Sequence, residues 1–166
     1  MLPYIFLFIL GIILGSFYNV VATRIPNGES IIKPGSHCTN CYHELKWYEL
    51  IPLVSYIIQR GKCRKCYKKL SIWYFLSELF TGLSFAFSYY LYGFDLMTIK
   101  SCILVSIVMI TIISDVSYMV ILDSPIIIGT ILLMIVDYFI GGFNLVLANT
   151  FHGLMMFLIV LVVVNF

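Results

Sequence analysis

Charged residues are scarce in this chain. Lys and Arg number 10 and Asp and Glu 8 among 166 residues, so 11% of the chain is charged and 61% is hydrophobic. Soluble domains carry roughly 25% charged residues, and this shortage therefore excludes a soluble globular protein. Internal repeats and low-complexity tails are also absent, which excludes a repeat protein or a disordered polar chain. We predict an all-α membrane protein.

Long stretches without charge predict the membrane-spanning helices. Residues 2–23 hold 22 uncharged residues, which as a helix would measure about 33 Å against a hydrocarbon core of about 30 Å. No Lys or Arg precedes this run, so we interpret it as a transmembrane helix rather than a cleaved signal peptide. Four further spans are predicted, at 71–92, 97–114, 125–140 and 144–166. About five transmembrane helices are therefore expected.

The basic residues are concentrated in one polar loop, residues 24–70. It holds nine of the ten Lys and Arg residues but only three acids. Short basic loops stay on the cytoplasmic side of a membrane, so this loop is predicted to be cytoplasmic. Six of its cations cluster between Arg60 and Lys69, and beside a membrane helix they favour anionic lipid headgroups over nucleic acid.

Four of the five cysteines lie in this loop as two pairs, Cys38-x2-Cys41 and Cys63-x2-Cys66. The spacing is typical of a structural zinc site with four thiolate ligands. A loop of this size cannot bury a substantial apolar core, and a metal would supply the missing folding free energy. Disulfides or unpaired thiols remain the alternative, which a reducing cytoplasm disfavours.

Acidic residues at membrane depth are the candidates for catalysis, because charge is costly there. Asp115 follows 14 uncharged residues and is predicted at the cytoplasmic end of the third span. Structural and functional roles are equally open for Glu78. Asp123 is interpreted as part of a helix start with Ser124 and Pro125, and Asp137 as a solvated residue near the outer end of the fourth span.

Small and polar residues mark one face of the first helix. The pattern Gly11-x3-Gly15, followed by Ser16 and Asn19, is typical of a surface against which a neighbouring helix packs closely. Such patterns also occur by chance in apolar helices.

Taken together, these residues resemble the prepilin peptidase family, the membrane enzymes of type IV pilus, type II secretion and competence systems. The segments that carry the resemblance are the paired CxxC motifs and four stretches, GIILGSFYNVVATRIP (11–26), WYELIP (47–52), GKCRKC (61–66) and YFLSEL (74–79). The resemblance is close over residues 1 to about 130.

The resemblance implies a bacterial inner-membrane aspartyl endopeptidase that cleaves the leader of prepilin-like proteins. It implies two catalytic aspartates near the cytoplasmic face, of which Asp115 matches the first. It also implies, in many members, methylation of the new N-terminus from S-adenosylmethionine. Where relatives carry a Pro seven residues after this aspartate, the present chain has Leu122.

The family's second aspartate belongs to a Gly-x-Gly-Asp motif that these 166 residues do not contain. We therefore expect a truncated chain that is inactive alone. On this interpretation, residues 1–92 form the N-terminal region of the family and residues 93–166 begin the aspartyl peptidase membrane domain. The alternative is a non-catalytic membrane module whose zinc loop binds pilin-like or assembly partners.

Overall fold

A computed structural model describes residues 1–38 and 40–164, with side chains described as far as residue 153. It is built from five helices: α1 (Leu2–Arg24), α2 (Val54–Ile58), α3 (Ile72–Tyr92), α4 (Leu96–Tyr118) and α5 (Asp123–Val164). A 3-10 turn at Trp47–Glu49 precedes α2. Within the described residues there is no strand beyond two isolated backbone bridges. The predicted all-α fold is confirmed.

Three helices are long and apolar enough to cross a membrane, namely Leu2–Arg24, Leu96–Tyr118 and, within the residues searched, Asp123–Gly153. The predicted 71–92 span is also a helix, α3, but its polar residues make it less apolar than the three helices above. Those residues face inward, since Ser77, Thr81 and Ser88 are among its most buried side chains. The molecule is an integral membrane protein whose α3 conceals its polar face inside the bundle.

The last two predicted spans, 125–140 and 144–166, both fall within α5. This element begins at Asp123, as expected, and its helical backbone is interrupted at Gly142. Gly142 has φ 68° and ψ −167°, a conformation that glycine adopts without steric penalty. The chain folds back at this point, because Asn149 donates a hydrogen bond of 2.8 Å to Asp137 on the other side of the break.

Close contact between α1 and α3 forms the centre of the bundle. A Cβ atom added at Gly11 would lie 2.8 Å from the Cα of Gly82, and one added at Gly15 would lie 3.0 Å from the Cα of Glu78. Asn19 and Ser77 exchange hydrogen bonds of 2.9 and 3.1 Å across the same contact. The small-residue face predicted on α1 is therefore the surface that packs against α3.

One end of the bundle, here called the loop end, carries the long polar loop. Here α1 ends, α3 begins, α4 ends and α5 begins. The short α4–α5 connection is fixed by a hydrogen bond of 2.7 Å from Ser114 to the carbonyl of Val120. It is also fixed by Leu122, whose side chain is buried with Tyr18 and Ile110. An apolar side chain at this position therefore anchors the connection to the bundle core.

Candidate metal centre and membrane site

Each CxxC pair lies at the tip of a tight turn of the same design. In the first turn the amide of Cys38 donates to the carbonyl of His43, and the amide of Tyr42 donates to the carbonyl of Cys38. The second turn repeats this pattern with Cys63, Lys68 and Tyr67 in the same roles. Both tyrosines have positive φ, 53° at Tyr42 and 57° at Tyr67. The two turns, called knuckle 1 (37–44) and knuckle 2 (62–69), are thus local copies of one structure.

The knuckles bring all four predicted ligands together. The Sγ atoms of Cys38, Cys41, Cys63 and Cys66 all lie within 4.8 Å of one another. The Cys38–Cys66 and Cys41–Cys63 pairs are separated by 3.8 and 3.9 Å. A tetrahedron with Zn–S bonds of about 2.3 Å has edges of about 3.8 Å, so this arrangement fits a zinc ion. The four cysteines could therefore hold one metal ion, and all four are free of disulfides.

The pKa values of the thiols show why a cation suits this cluster. Hydrogen bonding to the backbone of Lys68 lowers the pKa of Cys66 to about 6, and hydrogen bonding to the backbone of Asn40 lowers that of Cys38. The backbone at His43 also favours the Cys41 thiolate, but burial and the neighbouring thiols override it and raise its pKa to about 11. Thiolates this close repel one another, and a divalent cation would remove that repulsion.

A buried carboxylate that the sequence analysis did not single out joins the two knuckles. The Glu49 side chain is 2% exposed; its Oε2 lies 3.5 Å from Nε2 of His43 and its Oε1 lies 3.8 Å from Nε of Arg64. It also accepts a hydrogen bond of 2.9 Å from the amide of Lys46, which closes the 3-10 turn. Arg64 lies over the ring of Tyr48 as well. Glu49 is thus in contact with both halves of the metal centre.

Two further buried charged residues attach the loop to the membrane bundle. Arg24, at the end of α1, donates hydrogen bonds of 2.7 to 3.1 Å to the carbonyls of Ser30, Pro34 and Gly35. Glu78, in α3, accepts a hydrogen bond of 2.8 Å from the amide of Leu53. The role of Glu78, left open by the sequence, therefore includes holding the loop against the helices.

A cavity of about 420 Å³ lies between the loop and the loop end of the bundle. Its lining includes the residues Glu49, Glu78, Tyr74 and Tyr118. Volumes of 300 to 1,000 Å³ are typical of small-molecule sites.

Asp115 lies in the last turn of α4, at the loop end, and it is exposed. Beside it is an open groove of about 410 Å³ whose lining is almost wholly apolar. The other groove residues are Ile107, Val108, Thr111, Ile112, Ile121 and Ile126. Asp115 therefore lies beside an open apolar groove and not in an enclosed pocket.

Asp137 differs from its predicted solvated state. Its side chain is 7% exposed and forms an ion pair of 2.5 Å with Lys100 of α4, while Asn149 bonds its other oxygen. The sequence signal for this pair was present, since an isolated Lys and an isolated Asp lie in adjacent apolar spans, and such charges pair with one another in membranes.

The structure therefore defines a class: helical membrane proteins that carry, between their first two long helices, a loop with four clustered cysteines able to hold a metal ion. Comparison with known proteins makes the class specific. The family described as Bacterial Peptidase A24 N-terminal domain matches residues 9–92. The chain belongs to the prepilin peptidase family.

Several relatives named prepilin leader peptidase/N-methyltransferase are similar to this chain. The Myxococcus xanthus protein is 44% identical over 103 residues, covering 62% of this chain and 31% of the relative. The Bacillus subtilis protein is 39% identical over 115 residues, covering 69% and 46%. The Neisseria gonorrhoeae protein is 35% identical over 120 residues, covering 58% and 42%. The chain thus spans about a third to a half of the length of these relatives, and no solved structure matches it.

Proposed function

We propose that this chain contributes to an intramembrane aspartyl endopeptidase that removes the leader of prepilin-like proteins, with Asp115 as one of two catalytic carboxylates. Family membership and the names of the relatives support the reaction class. The observation that carries the assignment of Asp115 is its position, exposed in the last turn of an apolar helix and beside an apolar groove. Such a groove suits the hydrophobic segment of a membrane-anchored substrate.

The chemistry requires a partner for Asp115. Two nearby carboxylates share one proton, so that one activates water as a base while the other donates a hydrogen bond to the scissile carbonyl. Residues 1–166 contain no Gly-x-Gly-Asp motif, and Asp137 is engaged by Lys100 and Asn149. In our proposal the second carboxylate therefore comes from a family-type Gly-x-Gly-Asp segment that packs beside α4.

The metal in this proposal is a structural zinc ion held by Cys38, Cys41, Cys63 and Cys66. Four thiolates complete its coordination, which leaves no open position for substrate or water. Its contribution is to hold the two knuckles together and thereby shape the wall of the cavity above the bundle.

Methyl transfer is the second proposed activity, because the relatives are named N-methyltransferases. S-adenosylmethionine, when bound, would supply an electrophilic methyl group on a positively charged sulfonium. The cavity at the loop end is the candidate site for such a cation, since its lining includes Glu78, Tyr74 and Tyr118, and carboxylates and aromatic rings attract cations.

We place the protein in the bacterial inner membrane with residues 24–70 in the cytoplasm. This loop holds nine of the ten Lys and Arg residues, and short basic loops stay on the cytoplasmic side of the membrane. Prepilin-like proteins and membrane lipids are then its partners.

The test is cleavage of a purified prepilin-like substrate in lipid. We expect no cleavage by residues 1–166 alone and cleavage by a chain extended through a family-type Gly-x-Gly-Asp segment. In the extended chain, Asp115→Asn should abolish cleavage, because Asn keeps the size of the side chain but cannot act as a base. Asp123→Asn should reduce the cleavage rate only slightly. An extended chain that retains zinc but does not cleave would instead favour the non-catalytic binding module.

A further inference from the structure

One part of the zinc loop, residues 51–58, is apolar and returns to the membrane helices. The amide of Leu53 bonds the carboxylate of Glu78 at 2.8 Å, and the ring of Tyr56 packs 5.5 Å from that of Phe75. Both partners belong to α3, which is one of the helices of the bundle. This stretch therefore runs alongside α3 rather than away from it.

Its depth can be read from α3. Trp73, an exposed residue in the first turn of α3, marks the level of the membrane interface, where Trp is enriched. Glu78 follows five residues later, which at 1.5 Å per residue is about 8 Å further into the bundle. The Leu53 amide is bonded to the end of the Glu78 side chain, which tilts toward the N-terminus of α3, so this amide lies between the levels of Trp73 and Glu78, up to about 8 Å deep. Amphipathic segments that lie in a membrane interface are buried to about 5 to 10 Å.

The outward side of this stretch is apolar and uncovered. Val54, Ile57 and Ile58 are all exposed, and Ile57 and Ile58 each expose 63% of their surface. Arg60 and Lys62, both exposed, follow two and four residues after Ile58. Three adjacent aliphatic side chains next to cations form a surface that complements acyl chains beneath anionic headgroups.

We infer that residues 51–58 form a re-entrant segment whose Val54, Ile57 and Ile58 side chains lie among the lipid acyl chains of the leaflet at the loop end. The backbone agrees with this placement. Leu53 has φ 59°, and irregular backbone at membrane depth needs its polar groups satisfied by protein, which the Glu78 carboxylate does. This interaction with lipid is independent of the proposed peptidase activity.

The test places a single tryptophan on this surface. Trp47→Phe and Trp73→Phe remove both native tryptophans, and Ile57→Trp adds the probe; Tyr67→Trp, at a site 74% exposed in knuckle 2, is the matched control. Each protein is placed in nanodiscs of phosphatidylcholine and phosphatidylglycerol, with acyl chains either plain or brominated near the headgroup. Zinc content of about one per chain verifies that the loop is folded.

Brominated chains should reduce the emission of the Ile57→Trp protein by about twofold or more and leave the Tyr67→Trp control unchanged, because quenching needs contact with the bromine. Ile58→Trp gives the same measurement if Ile57→Trp does not retain zinc. Unquenched emission at a water-like wavelength would overturn the inference. Unquenched but blue-shifted emission would also overturn it, since another protein or a second copy would then cover the surface.

Discussion

Replacement of Glu49 tests whether the two knuckles depend on the carboxylate that joins them. Glu49→Ala removes the acceptor of the Lys46 amide and both contacts to the knuckles, at His43 and Arg64. Lys46 is an exposed residue, so the loss is that of a hydrogen bond to a charged carboxylate, about 1.5 to 3 kcal/mol. Loss of residues that support metal ligands typically weakens metal binding about 10- to 100-fold. We therefore expect zinc release to become about 10- to 100-fold faster.

The assay follows zinc transfer from detergent-solubilised protein to a chromophoric chelator under reducing conditions. Glu49→Gln should release zinc more slowly than Glu49→Ala, because its amide oxygen can still accept from Lys46 and only the longer contacts to His43 and Arg64, at 3.5 and 3.8 Å, are weakened. Glu44→Ala is the matched control, since Glu44 is an exposed acid of the same loop. Equal release rates for Glu49→Ala, Glu44→Ala and the unmodified protein would refute the reasoning.

Three other predictions concern the membrane bundle. Gly15→Ala should lower the unfolding free energy by about 1 to 3 kcal/mol in detergent, because the new methyl meets the backbone of α3; Gly35→Ala, with no atom within 4 Å of the new carbon, should have no effect. Lys100→Met should lower the unfolding free energy by on the order of 3 kcal/mol, measured by thermal or denaturant unfolding in detergent, since it leaves the buried Asp137 carboxylate without its cation. An unchanged unfolding midpoint would contradict the structural role of the pair. A cysteine at Glu29 should resist a membrane-impermeant maleimide in intact cells, whereas one at Phe94, 94% exposed at the opposite end, should react; the reverse pattern would invert the proposed topology.

The four-cysteine cluster was predictable because its information is local. A CxxC pair forms a turn from a few neighbouring residues, and two such pairs in one short loop have few ways to meet other than through a shared metal. The packing face of α1 was also visible as Gly11 and Gly15, although the partner helix was not. Most helix limits were close, since apolar runs ended at Arg24, at Tyr92 and at the glycines near 142, but α4 continues to Tyr118, four residues past the end of the predicted 97–114 span.

The sequence carries a signal for one tertiary pair, Lys100 with Asp137, but most tertiary partners were not predictable from it. Asp137 was interpreted as solvated because its position along α5 suggested the membrane surface, yet the fold-back at Gly142 and the approach of Lys100 bury it. The roles of Glu49 and Glu78 depend on contacts with residues that are 15 or more positions away, such as Arg64 and Leu53. No periodicity in the chain encodes such pairings.

The order of the two knuckles along the chain has a consequence for biogenesis. Both precede α3, so all four thiols leave the ribosome before Ile72 does. A metal bound at that stage would close a loop of tens of residues while α3 is still being made. The free chain between α1 and α3 would then be shorter. A shorter free chain lowers the entropy cost of bringing the two helices together. Zinc supply during synthesis would therefore govern how fast this helix pair assembles, as well as how stable the finished loop is.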